Sequence, residues 1–217
     1  MLKLSLIVLF FAFASAKFGL HVTWAPNVTL QTFECLAQNN SISLIIADIS
    51  NPSQGPDYYF MLDYNLSKAA GIPVDASILL YDGFTPEDFC ADAVHALPAD
   101  FNGTVWLYIT EIWKRAVGQR MDYLDDVIQN CQQRGLKVGV FSNRYDWYYL
   151  FNDRYASSET VKAVPVLYPH DDSLPDFDDW DWEHVAFGKW DAPTMKIFTG
   201  FKENLCGVAV SLETYFE

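Results

Sequence analysis

The stretch TVWLYIT, residues 104–110, decides the architecture. It carries β-branched and aromatic side chains with almost no polar break, as a strand buried on both faces does. Six similar runs flank it: FGLHVTW (18–24), SISLIIADI (41–49), VDASILLYD (74–82), LKVGVFS (136–142), AVPVLY (163–168) and TMKIFTG (194–200). A shorter one, GVAVSL (207–212), follows. Helical patterns lie between them. Thr29 opens one that carries Phe33, Leu36 and Ala37 on one face. A second, Leu62 to Ala70, stops at Gly71 and Pro73. Thr85-Pro-Glu-Asp is an N-cap with proline in the first turn and acid at the positive dipole end. Met121 to Gln133 sets Leu124, Val127, Ile128 and Cys131 at helical spacing before Arg134-Gly135. Strands and helices alternating in units this short predict parallel strands with crossover helices, an α/β fold. Seven or eight strands predict a TIM-like (β/α) barrel in a single domain over residues 17–217. From Ala163 onward little helix is legible, so the barrel is expected to be irregular there.

Barrel chemistry sits at the C-terminal ends of strands. TVWLYIT ends, on one face, in Trp106, Tyr108 and Thr110: a phenol and a hydroxyl, with no carboxylate.

The first sixteen residues have Lys3, an apolar run from Leu4 to Ala14 and the small-x-small close Ala14-Ser15-Ala16. This predicts a secretory signal peptide over 1–16, leaving 217 − 16 = 201 residues for a secreted, soluble chain. The destination is extracellular, or the lumen of a lysosome or phagosome. A formal net charge of −14 repels phosphate backbones and anionic lipid, so no nucleic-acid and no membrane partner is expected. The acidic run DDSLPDFDDWDWE (171–183) reads as a solvated loop; its spacing fits no EF-hand. Four cysteines, Cys35, Cys90, Cys131 and Cys206, suit disulfides in an exported chain, and three pairings are open. No CxxC pair or His spacing suggests a metal, and no phosphate loop or dinucleotide turn suggests a cofactor. Asn27, Asn39, Asn65 and Asn102 each head an N-glycan acceptor triplet.

Five blocks in order resemble the secreted glycoside hydrolase family 25 lysozymes of nematode and amoeba type. They are GLHVT, AAGIPVD, VWLYIT, RGLKVGVFSNRYDWYYLF and FGKWDAPTMKIFTGFKENLCGVAVSLETYF. The resemblance covers essentially the whole chain after residue 16. It implies the barrel and hydrolysis of the β-1,4 bond next to muramic acid in peptidoglycan. Such chemistry needs carboxylates to protonate the leaving oxygen and to stabilise or activate around the sugar carbon. The four acids that the family places at strand ends fall here on His21, Tyr108, Thr110 and Ser211, none of them acidic. A phenol with a pKa near 10 is no substitute for a carboxylate.

Neighbouring acids are the candidates to compensate. Asp48 ends the second strand and Asp82 the third, while Glu111 follows Thr110; Asp48 with Glu111 is the best replacement pair. Asp75 starts its strand and should face the wrong end. Tyr81, Asp82, Tyr168 and His170 are candidate ligand contacts, the last two because the family also has a Tyr and a His there. Trp106, mid-strand, is expected in the core. Barrel closure would bring Cys206 toward Cys35 and leave Cys90 and Cys131 to link two outer helices.

The expected function is a secreted lysozyme-like protein that has lost most peptidoglycan hydrolysis. It would be a monomer that binds cell-wall glycan, peptidoglycan fragments or a partner in innate defence. Two readings compete: an active muramidase with relocated rim acids, and an extracellular scaffold without glycan binding.

Overall fold

The computed structural model describes residues 17–22, 28–39, 42–50, 52–110, 113–170, 176–198, 204–206, 208–209 and 212–216. The elements, in order, are β1 (Lys17–Val22), α1 (Leu30–Asn39), β2 (Ile42–Ile49), a 3₁₀ turn (Pro52–Gln54), α2 (Tyr58–Ala69), β3 (Val74–Leu79), α3 (Pro86–Ala96), β4 (Thr104–Tyr108) and α4 (Val117–Gln133). Then come β5 (Lys137–Phe141), α5 (Arg144–Phe151), α6 (Glu159–Lys162), β6 (Val166–His170), β7 (Met195–Phe198), β8 (Asn204–Leu205), β9 (Val208–Ala209) and β10 (Leu212–Phe216).

Eight strands close a barrel in the order β1-β10-β7-β6-β5-β4-β3-β2. The expected α/β barrel is therefore present. From β1 to β7 each strand runs parallel to its neighbours in the series. The closing strand departs from the parallel scheme. β10 runs antiparallel to both β1 and β7, with Lys17 opposite Phe216. It begins at Leu212, the last residue of the short run GVAVSL. Within that run, Val208–Ala209 pairs instead with Asn204–Leu205 in a separate hairpin. The described residues between β7 and β10 hold that hairpin and no helix, so a parallel crossover has nothing to build on. The chain turns back and closes the ring in reverse. The expected irregularity after Ala163 is also present: among the described residues, only turns join β6 to β7.

Two apolar layers follow from strand alternation. One cluster draws Leu44, Ile46, Trp106, Phe141, Leu167, Met195 and Ile197 from strands alone and fills the lumen. The larger cluster combines the other strand faces with helix residues such as Phe33, Leu36, Phe60, Phe89, Leu124 and Trp147. Trp106 is thus core, as expected. Its indole Nε1 donates to Asp75 Oδ2 at 2.8 Å, and Thr104 N donates to Oδ1 at 2.8 Å. Asp75 belongs to this base layer and not to the mouth. Trp106 fits because its neighbour on β5 is Gly139, where a Cβ would lie 2.5 Å from the indole.

Cys35 on α1 is bonded to Cys206 between β8 and β9, and Cys90 on α3 to Cys131 on α4. Both pairs are those that closure of the ring favoured. The first clips the outer layer to the hairpin beside the closing strand. The second staples two adjacent helices.

Candidate functional site

The C-terminal ends of the first five strands converge on one opening. β1 brings His21, β2 Asp48, β3 Ser77, β4 Tyr108 and β5 Phe141. Asp48 and Ser77 are direct partners across the β2–β3 ladder. His21 is paired with Ile46, so Asp48, two residues on, shares its face. The imidazole Nε2 of His21 lies 2.8 Å from Asp48 Oδ1. The His21 side chain is buried, while that of Asp48 is 27% exposed and reaches the opening. Phe141 packs behind these groups: Tyr108 stacks on it at 4.4 Å and His21 meets it edge-on at 5.6 Å. A cavity of about 290 Å³ opens above, lined by Asp48, Ile49, Ser50, Ser77, Leu79 and Tyr108.

The Tyr108 phenol titrates above its ordinary range. Burial is the main cause, and the negative charges of Asp146 and Asp48 add to it. Tyr108 is therefore a neutral hydroxyl at any physiological pH, able to donate or accept one hydrogen bond. Asp146 is the rim acid that sequence reasoning missed. It lies in the first turn of α5. Asn143 caps that helix, accepting from Asp146 N at 2.9 Å and donating through Nδ2 to Asp146 Oδ2 at 2.6 Å. The Asn-x-x-Asp capping pattern just past a strand was the available signal.

The expected partner of Asp48, Glu111, lies outside the described residues, as do Ser211 and Asn27. Among the described residues, Asp48 pairs with His21. Thr110 is half-buried beyond the end of β4. Asp82 is a loop tie: its Oδ2 accepts from Arg115 N at 2.5 Å and joins the β3–α3 and β4–α4 loops. The Tyr81 side chain is partly exposed, and its carbonyl accepts from the Tyr123 hydroxyl at 2.7 Å. Arg120 holds the same rim, donating to the carbonyls of Trp113, Arg115 and Leu150.

Tyr168 and His170 meet in a different place. Tyr168 belongs to the outer apolar layer, and its hydroxyl donates to Asp179 Oδ1 at 2.6 Å. His170 Nδ1 lies 2.7 Å and Lys196 Nζ 3.1 Å from Asp179 Oδ2. This cluster pins part of the acidic segment to the outside of β6 and β7. Of the glycan acceptors, Asn65 on α2 and Asn102 before β4 are exposed, and Asn39 ends α1. No group of three His, Cys, Asp or Glu suited to a metal occurs among the described residues, and no described helix is long and apolar enough to cross a membrane.

A family model described as Lysozyme-like protein 1 matches residues 14–198. The chain belongs to that lysozyme-like family. It is 25% identical to Lysozyme-like protein 5 of Caenorhabditis elegans over 196 residues, 85% of this chain and 86% of that protein. Over 100 residues it is 32% identical to Counting factor 50 of Dictyostelium discoideum. That match takes in 46% of this chain and 31% of the relative, so it spans about a third of the longer protein. Among solved structures, a family 25 glycosyl hydrolase from Bacillus anthracis superposes with a TM-score of 0.66. It is 11% identical, with 92% of this chain and 88% of that one covered. At that identity the likeness concerns the fold: this lysozyme-like chain has a family 25 barrel.

Proposed function

We propose that this lysozyme-like protein is exported, binds cell-wall glycan at its barrel mouth and hydrolyses peptidoglycan weakly or not at all. The observation that carries this reading is the His21–Asp48 pair. Glycosidic cleavage by either stereochemical route uses two carboxyl groups facing one another across the scissile bond, one of them carrying a proton. At the described mouth, Asp48 is engaged by an imidazole and Asp146 by the Asn143 amide. Tyr108 supplies a neutral phenol where the family resemblance implies an acid. What remains suits recognition: the Tyr108 ring backed by Phe141, the hydroxyls of Ser50, Ser77 and Tyr108, and one carboxylate to accept from sugar hydroxyls. The signal-like sequence of residues 1–16, two disulfides and exposed acceptors at Asn65 and Asn102 support an extracellular or lumenal glycoprotein, and we infer that it acts as a monomer in innate defence.

Two measurements on the purified glycoprotein test this. Turbidity of a bacterial cell-wall suspension should fall no faster with the protein than without it. The protein should nonetheless sediment with insoluble peptidoglycan, and Asp48→Ala with Tyr108→Ala should abolish that retention. Robust wall lysis that Glu111→Gln or Asp48→Asn abolishes overturns the reading in favour of an active muramidase. Absence of both lysis and retention favours a scaffold.

A further inference from the structure

The outward face of α5 carries a cluster of exposed aromatic residues. Its sequence is RYDWYYLF, residues 144–151. Trp147, Leu150 and Phe151 are buried, as an amphipathic helix requires. The opposite face carries three more aromatics, Tyr145, Tyr148 and Tyr149, exposed by 67%, 55% and 56%. Their i, i+3, i+4 spacing places them on one contiguous patch. Single exposed apolar residues are ordinary, but a contiguous patch marks a contact surface. The Tyr145 and Tyr149 rings lie within 23° of parallel with centroids 6.4 Å apart, so two flat faces are offered with similar orientation. A second aromatic pair, Tyr155 and Trp182, 5.0 Å apart and partly exposed, lies on segments to which α5 is tied. The ties are Trp147 Nε1 donating to Ala156 O at 3.0 Å and Arg144 donating to the carbonyls of Glu183 and His184.

We propose that this face is a stacking platform for a neutral β-linked polysaccharide that runs on from the barrel mouth. The inference rests on the glycan-binding reading and adds a second contact region to it. Charge selects the occupant. The chain as a whole carries −14, yet here Arg144 and Arg154 offset part of Asp146, Asp153, Asp181 and Glu183, and Asp181 is paired with His184. A small negative excess remains, which disfavours a polyanion, and the exposed rings that make up the patch are themselves uncharged and suit a neutral ligand. A pyranose ring presents C–H edges to the negative faces of aromatic rings, while its hydroxyls reach phenols and carboxylates at the rim. Three or more rings in a patch suit a polymer over a single sugar. Continuity comes from the chain: β5 ends at Phe141, on which Tyr108 stacks at 4.4 Å, and two residues later Asn143 caps α5, so the helix starts at the mouth with Tyr145 in its first turn.

The test is co-sedimentation with two insoluble probes, chitin and purified peptidoglycan, using the full glycoprotein. Y145A/Y148A/Y149A should bind both at least about ten-fold more weakly, the loss expected for removing central aromatic contacts. Y145F/Y148F/Y149F should bind nearly as wild type. An unchanged melting temperature in both triples shows that the fold is intact. Normal binding by the alanine triple, alongside loss in Tyr108→Ala, overturns the platform and leaves the mouth reading standing. Equal loss in the alanine and phenylalanine triples assigns the contact to hydroxyls and overturns stacking. Failure of the wild type to bind either probe overturns the platform together with the glycan reading, and retention on poly-lysine beads alone does the same.

Discussion

Asp63 shows how one side chain links compartment to stability. It sits on the buried face of α2, and its carboxyl is pushed up to about 7, chiefly by burial and secondarily by the charge of Asp57. In the unfolded chain the same group ionises near 3.8. Between those values the folded state keeps a proton that the unfolded state has lost, so stability falls as pH rises and levels off above about 7. The ceiling is about 4 kcal/mol, at roughly 1.4 kcal/mol per pH unit. Urea denaturation at pH 4.5 and pH 7.5 should show greater stability in acid, and Asp63→Asn should shrink the difference; a wild-type profile in that variant would refute the assignment. Packing gives a second case. Gly139→Ala drives a methyl into the Trp106 ring and should cost about 1–3 kcal/mol, read as a lower melting temperature. At this scale the sequence exposed His21, Asp48, Tyr108 and Trp106, because strand ends and strand middles can be told apart. It did not expose the His21–Asp48 contact. Twenty-seven positions separate the two, and the β1–β2 register slips between Phe18 and Gly19. A one-residue slip decides which side chains meet, and nothing local records it.

Elements were legible where their signals are chemical. Thr85 and Pro86 start α3 as their types require, the Thr85 hydroxyl accepting from Asp88 N. α2 begins at Tyr58, ahead of the expected Leu62, because Asp57 caps it by accepting from Tyr59 N and Phe60 N. α4 begins at Val117, ahead of the expected Met121. Its cap position is Ala116, which offers no side-chain bond and so no signal. The acidic segment reads as solvated by composition, yet Asp179 is turned inward onto Lys196, whose side chain is fully buried. Charge runs conceal such exceptions, because burial depends on what lies opposite. Asp179→Ala removes the carboxylate beside that buried cation. It should cost about 3 kcal/mol or more and raise the proteolytic sensitivity of residues 176–191, while the mouth keeps its ligand binding. Asp179→Asn, which keeps the shape and one acceptor, should cost less.

For the whole molecule, regular recurrence of apolar runs was enough to specify the barrel, and closure was enough to favour the disulfide pairing. The reversed last strand was not legible, because direction depends on connections whose residues carry no periodicity. The Cys35–Cys206 bond spans 171 positions and ties the first helix to the hairpin beside that strand. Cys35→Ser with Cys206→Ser should lower stability by about 2–5 kcal/mol in thermal unfolding, and a reducing agent should do the same to the native chain. The reversed strand also settles where attachments can go. Lys17 and Phe216 face each other in the ladder, at the base and away from His21. Anything joined before the one or after the other hangs from the underside like a handle. A bead, a fluorophore or a neighbouring module tethered at either end would leave the opening facing outward and unobstructed.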